Sequence, residues 1–383
     1  MIKLSSTFKD FFKSEKSGGF LLILCTLLSI VLSNSDYGTT YTEFWHTKLG
    51  GHEIVHWIND CLMSIFFLLI GLELEREVYA GELSSFKNAS LPVIAALGGV
   101  LVPALIYVLF NYNTPQLKGA GIPMATDIAF AIGVLSLLGN KVPIGLKVFL
   151  TALAVIDDLL AIIVIAVFYT NDFSLNYLML SILVLGLLIV LNRLKINLLL
   201  PYLIGGVFLW ICMYKSGIHP SLSGVLLAFA IPFGKGETNA ISYKLQHALH
   251  YPVALFIIPL FALANTCITF NPGWSEGIFN NVSIGITLGL LIGKPVGIFI
   301  FSLVGIKINI CNLPEGLNRK HLLGGGILAG IGFTMSIFIT LLAFDDSATI
   351  NNSKMAILFS STIAGILGAV VLSSIKNNSS QPK

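Results

Sequence analysis

KVFLTALAVIDDLLAIIVIAVFYT, residues 147–170, decides how this chain is read. It is apolar almost throughout, yet Asp157 and Asp158 stand side by side in its middle. As a helix it reaches about 36 Å, enough to cross a bilayer core with some tilt. An ionised carboxylate at that depth costs on the order of 2.5–3.5 kcal/mol on insertion scales. Two adjacent ones demand that water, a cation or a proton reach them. Neighbours on a helix point about 100° apart. One carboxylate can therefore line a cavity while the other meets a cation on a neighbouring helix. Two aspartates on a soluble helix do not fit the flanking LTALAVI and LLAIIVIAVF. The pair points to transport or ion binding.

The rest of the chain agrees. It is 55% hydrophobic and 11% charged, where a soluble protein carries about 25% charged residues. The reading is an all-α integral membrane protein. Residues 1–16 are charged and amphipathic, and the first apolar run, 20–32, lacks a small-residue cleavage site. The first helix is therefore expected to be retained. The basic residues form no patch, so no nucleic-acid partner is implied. Cys25, Cys61, Cys212, Cys267 and Cys311 are odd in number and scattered. They fit neither a metal motif nor a disulfide framework, and read as small buried residues.

Hydropathy and helix breakers give twelve candidate spans: 20–34, 60–80, 91–112, 121–138, 147–170, 176–194, 198–213, 217–233, 250–271, 282–305, 321–343 and 354–375. An even number puts both termini on one side. With them cytoplasmic, seventeen of the 22 Lys and Arg residues fall on the inside and four (Lys48, Lys118, Lys215 and Lys354) on the outside. Lys294 lies within a span. The positive-inside rule supports both the count and the orientation. No segment is long enough for a separate soluble domain, so 1–383 reads as one transporter domain. Its largest external loop is 35–59, where Gly50 and Gly51 suit a tight hairpin turn, although a flexible loop fits too. Hairpin edges there could pair with a second copy of the protein.

Two spans are interrupted. In GIPMATDIAFAIGVLSLLG, Pro123 and Gly133 break the fourth span around Thr126 and Asp127. In LLGGGILAGIGFTMSIFITLL, Gly324, Gly325, Gly326, Gly330 and Gly332 do the same to the eleventh. Broken spans at corresponding places in two halves point to the binding site of an inverted-repeat transporter, here with repeats near 91–170 and 282–375. Close helix packing through glycine is the alternative for either span alone.

The buried charges carry the chemistry. Asp127 can balance the positive N-terminal ends of two half-helices, and the Thr126 hydroxyl and freed carbonyls can ligate a cation. Lys294, in LGLLIGKPVGIFIF, needs a carboxylate partner or must give up its proton. The deep carboxylates available to it are Asp127, Asp157 and Asp158. Glu73, Glu75, Arg76 and Glu77 close the second span on the cytoplasmic side, where His247 and His250 begin the ninth. Histidine titrates near neutrality, so these groups can sense cytoplasmic pH, or simply form a charged helix end. Asp60 reads as a helix cap, and His219 as a possible second sensor at the external face. No phosphate loop, CxxC, HExxH or GxSxG motif occurs, so neither an enzyme nor an ATP-driven pump is indicated, and no cofactor is implied.

ATDIAFAIGVLSLLG, LAVIDDLLAIIVIA, LLIGKPVGI and GILAGIGFTMSIFI together resemble the NhaA family of bacterial sodium/proton antiporters. WINDCLMSIFFLLIGLELERE, LPVIAALGGVLVPAL, KSGIHPSLSGV and IIPLFALAN extend the resemblance over nearly the whole chain. It implies an inverted-repeat fold with crossing broken helices at Thr126 and Asp127. It implies that Asp157 and Asp158 form the cation and proton site, with Asp158 the more direct Na+ ligand and Lys294 paired with Asp157. It implies a pH-responsive region of Glu73, Arg76, Glu77, His247 and His250, and a homodimer in the bacterial inner membrane. The chain departs from the family's pattern in Gln246, where an acid precedes the first histidine, and in Glu75, where a base is familiar. Those departures bear on the pH range of activation. The expected mechanism is alternating access, Na+ or Li+ displacing protons from the two carboxylates and periplasmic protons reloading them. Two titrating groups permit more than one proton per cation, hence an electrogenic cycle. A sodium-coupled symporter of an organic solute, a passive channel and a non-transporting membrane protein are the rival readings.

Overall fold

The lipid core offers no hydrogen bonds to a backbone, so an apolar chain of this kind must satisfy its N–H and C=O groups within helices. The computed structural model describes residues 6–170, 173–234, 237, 239–270, 277, 279–314 and 316–375; for 6–16, Glu82 and Asn140 it describes the backbone only. Lys3, Lys235, Lys376 and Lys383, which enter the charge count that orients the chain, lie outside the described residues. The elements are α1 (Ser6–Ser33), α2 (Gly38–His46), β1 (Lys48–Leu49), β2 (His52–Glu53), α3 (Ile54–Ala80), α4 (Phe86–Asn111), α5 (Ile128–Leu137), α6 (Ile144–Phe168) and α7 (Leu175–Arg193). They continue with α8 (Leu199–Ser216), α9 (Leu222–Ala230), α10 (Ile241–Asn265), α11 (Asn281–Lys307), α12 (Arg319–Ala329), α13 (Phe333–Ala343) and α14 (Ser347–Ser374). A 3₁₀ segment, Pro115–Met124, precedes α5.

Among the described residues, nine helical spans are long and apolar enough to cross a membrane, and two bent pairs bring the number to eleven. The pairs are Ser17–Ser33 with Gly38–His46, bent by 115°, and α12 with α13, bent by 45°. The eighth expected span, 217–233, holds only α9. Its nine residues rise about 14 Å, half a bilayer core, because Pro220 and Pro232 bracket it.

The chain falls into two compact units, Met1–Ser84 with Asp158–Pro272, and Ser85–Asp157 with Gly273–Lys383. In the first, α1 packs on α10, α3 on α9 and α7 on α8, around a core that includes Leu68, Leu72, Leu188, Tyr202 and Leu227. In the second, α4 packs on α11 and α12 on both α11 and α14. There the backbones of α4 and α11 touch. A Cβ on Gly98 would strike the carbonyl oxygen of Gly297, and one on Gly297 would strike that of Gly98. Small residues let membrane helices approach this closely.

Several boundaries differ from the expected ones. The loop expected at 35–59 contains α2 and a real hairpin. β1 and β2 pair antiparallel, Lys48 with Glu53 and Leu49 with His52. Gly50 and Gly51 turn at φ +63° and +95°, the left-handed pair that a two-residue turn requires. α3 already begins at Ile54, so Asp60 does not cap it; Asp60 lies within a π turn, Ile58–Leu62. Gly133 sits inside α5, and Gly324, Gly325 and Gly326 sit inside α12. Of the glycines expected to break the two spans, only Gly330 and Gly332 lie at a break. The other three in α12 let it pack, since their Cβ positions meet Leu372, Leu146 and Pro295.

Candidate ion-binding site

The site grows from two breaks that face each other. After Met124 the chain runs extended through Ala125, Thr126 and Asp127 before α5 begins. Across from it, Gly330, Ile331 and Gly332 separate α12 from α13. The Asp127 N–H donates to the Ile331 carbonyl at 2.6 Å, which ties one break to the other. Each break leaves N–H groups with no helical partner on one side and carbonyls with none on the other.

Asp127 answers the N–H groups. Its Oδ1 accepts from the Phe130 N–H at 3.0 Å, capping α5. Its Oδ2 accepts from the Thr334 N–H at 3.0 Å and the Thr334 hydroxyl at 2.7 Å, in the first turn of α13. One buried carboxylate thus covers the positive ends of two half-helices.

Lys294 and Thr126 answer the carbonyls. Lys294 is fully buried; its Nζ donates to the Met124 carbonyl and lies 2.9 Å from Asp157 Oδ2. The Thr126 hydroxyl lies 2.7 Å from the same Oδ2 and 3.0 Å from the Ala329 carbonyl, at the end of α12. It has one hydrogen and two acceptors in reach, so it donates to one at a time. Lys294 follows a π turn, Gly289–Gly293. Pro295 comes next, and its missing N–H and ring disturb the regular ladder there. Asp157 Oδ1 is buried with no hydrogen-bond partner among the described residues. Asp158, 4% exposed, follows it on α6.

Chemically, Asp157, the Thr126 hydroxyl and the carbonyls of Met124 and Ala329 form a set of hard oxygen donors, which suits an alkali cation. The Lys294 ammonium competes with such a cation for Asp157. No group of three or more His, Cys, Asp or Glu among the described residues could hold a resident metal ion.

In the other unit, Glu73 Oε1 lies 3.2 Å from His250 Nε2, and Arg76 Nη2 lies 3.4 Å from Glu77 Oε1. His247 lies near enough for its charge to act on His250, but its ring packs elsewhere. It is exposed, on the same face of α10 as Tyr243, and the two rings stack at 6.1 Å.

The Na+/H+ antiporter 1 family matches residues 9–372. The chain is 58% identical over 377 residues to the Na+/H+ antiporter NhaA of Flavobacterium psychrophilum, covering 98% of each chain. The chain belongs to the Na+/H+ antiporter 1 family. Against NhaA of Dechloromonas aromatica it is 56% identical, covering 99% of this chain and 98% of that one. Its fold is similar to that of the sodium proton antiporter MjNhaP1 from Methanocaldococcus jannaschii, with a TM-score of 0.54, 15% identity and coverage of 96% and 97%.

In this Na+/H+ antiporter family chain, freed carbonyls at the broken span were expected as oxygen ligands, but that they are those of Met124 and Ala329, and that Thr334 joins Asp127, escaped the sequence reading. Carbonyls carry no side-chain signal. Thr334 had one, as a hydroxyl two residues after Gly332, where a helix N-terminus needs a partner. Asp60 also gained company. Its Oδ2 lies 3.1 Å from His56 Nε2 and its Oδ1 3.5 Å from His219 Nε2. The π turn turns its carbonyl to the Trp210 indole N–H at 3.2 Å.

Proposed function

We propose that this transporter is a pH-regulated, electrogenic antiporter that exports Na+ or Li+ in exchange for periplasmic H+ by alternating access. The observation that carries the reading is the buried Lys294–Asp157 pair with Thr126 against it, at the meeting of two broken helices. A cation arriving at Asp157 and Asp158 displaces protons from the site. Where Lys294 holds Asp157 ionised, the arriving cation takes the ammonium's place beside it and Lys294 gives up the proton that Asp157 lacks; protons reload the site from the other face. Two carboxylates titrating as a coupled pair allow more than one proton per cation. Asp127 serves as charge balance, and Asp158 as the more direct ligand. The oxygen set favours a hard cation over an organic solute, which would need a roomier polar site.

The remaining expectations belong to the same proposal. The protein sits in the bacterial inner membrane with both termini cytoplasmic, as the basic-residue count supports. Residues 91–170 and 282–375 are inverted repeats of one transporter domain, supported by the two breaks. Glu73, Arg76, Glu77, His247 and His250 set the pH response, supported by the Glu73–His250 contact. The protein works as a homodimer, supported by the exposed hairpin.

The test is sodium-evoked proton movement in everted vesicles from antiporter-deficient cells, from pH 6.5 to 8.5. Wild type is expected to dissipate the pH gradient on adding Na+ or Li+, and Asp158→Asn to abolish the response. No response from wild type across that range overturns the exchange reading. Full activity in Asp158→Asn leaves exchange standing and overturns the role given to the paired aspartates.

A further inference from the structure

The first unit holds a cavity of about 570 Å³ lined by Glu75, Tyr79, Asn192, Arg193, Phe229 and Phe233. We propose that it binds the ethanolamine headgroup of a phosphatidylethanolamine lipid. Glu75 is 5% exposed, and its Oε2 is buried with no hydrogen-bond partner among the described residues. A buried acceptor left without a donor is costly, so Glu75 calls for an N–H donor from outside the chain. Asn192 does not supply it: its amide nitrogen donates one hydrogen to the Ala230 carbonyl at 3.0 Å, and no hydrogen bond runs from it to Glu75 Oε2. The Asn192 carbonyl oxygen is instead a second acceptor. Tyr79 and Phe233 pack with ring centres 5.4 Å apart, and Phe229 is 45% exposed. Aromatic faces beside a carboxylate favour a cation.

The remaining charge is Arg193, exposed in the last turn of α7. An acid deep in the cavity and a guanidinium at its edge match the ammonium and phosphate of a zwitterionic headgroup. The surface of α7 argues for a lipid rather than a soluble amine, since Ile182, Leu183 and Val190 are exposed on this apolar helix. Exposed aromatics near helix ends fit the interfacial belt where headgroups lie. The amine must be primary, because choline has no N–H to offer Glu75 and a glycerol headgroup has no cation.

The test uses the full-length protein purified in detergent. Native mass spectrometry reads the retention of phosphatidylethanolamine, phosphatidylcholine and phosphatidylglycerol, and thermal unfolding reads the stabilisation each gives. Phosphatidylethanolamine is expected to bind most tightly. Glu75→Gln is expected to weaken that binding about tenfold or more, the loss of one charge-assisted hydrogen bond, and to leave phosphatidylglycerol unchanged. Arg193→Gln, at an exposed position that does not threaten folding, is expected to weaken both lipids. Equal retention of the ethanolamine and choline lipids overturns the proposal. So does stabilisation by free phosphoethanolamine equal to that by the lipid, or tighter lipid binding in Arg193→Gln, which would make Arg193 the internal partner of Glu75.

Discussion

Asp127 and Lys294 divide between them the polar ends that two broken helices leave in an apolar setting. The acid takes the N–H ends and the base takes the carbonyl ends, as the helix dipole requires. Lys294 and Asp157 have no water to fall back on, since both side chains are fully buried. Lys294→Met therefore leaves a buried carboxylate without its cation, a loss of roughly 3–5 kcal/mol. The double variant with Asp157→Asn is expected to recover most of it. Thermal unfolding of the purified variants checks this; a double variant as unstable as the single one counts against the pair. Both residues were legible in the sequence because a charge flanked by apolar residues cannot hide. The choice among three carboxylates for Lys294 was not legible from spacing, since it depends on where a non-helical stretch ends. His247 and His250 show the same limit. Three residues apart, they belong to different surroundings, one buried against Glu73 and the other stacked on Tyr243.

At the scale of elements, glycine has two uses that composition does not tell apart. Gly330 and Gly332 lie at a break, while Gly98 and Gly297 bring two helices into backbone contact. Gly297→Leu is expected to force α4 and α11 apart and to destabilise by about 1–3 kcal/mol or more, the range for overpacking. Gly186→Leu is the control. Its Cβ position on α7 meets nothing within 4 Å, so its unfolding midpoint is expected to stay near wild type. Equal losses in the two variants would falsify the close contact as the cause. The π turn at Asp60 was out of reach of sequence patterning, because an extra residue in a turn leaves hydropathy unchanged. The short α9 was hidden for a similar reason. Its apolar run continues past Ala230, and only Pro232 marks the stop.

For the whole molecule, the proposed dimer rests on the hairpin. Its two-residue strands are mostly exposed, and its edges are open to pairing with a second copy. Replacing both Gly50 and Gly51 with valine opposes the positive φ angles of the turn. Light scattering on the purified variant is expected to show monomer where wild type shows dimer; an unchanged dimer moves the interface elsewhere. The division of the chain into two units carries a consequence for its synthesis. Each unit is made of two separated pieces, and one of the three switches between them falls inside α6, between Asp157 and Asp158. When Ser84 leaves the ribosome, the piece that completes its unit has not begun to be made. At about 5–20 residues per second, Asp158 follows roughly 4 to 15 seconds later. Neither unit can close while the chain is half made. A nascent chain stalled after α6 therefore carries two incomplete cores into the bilayer, an open substrate for membrane quality control.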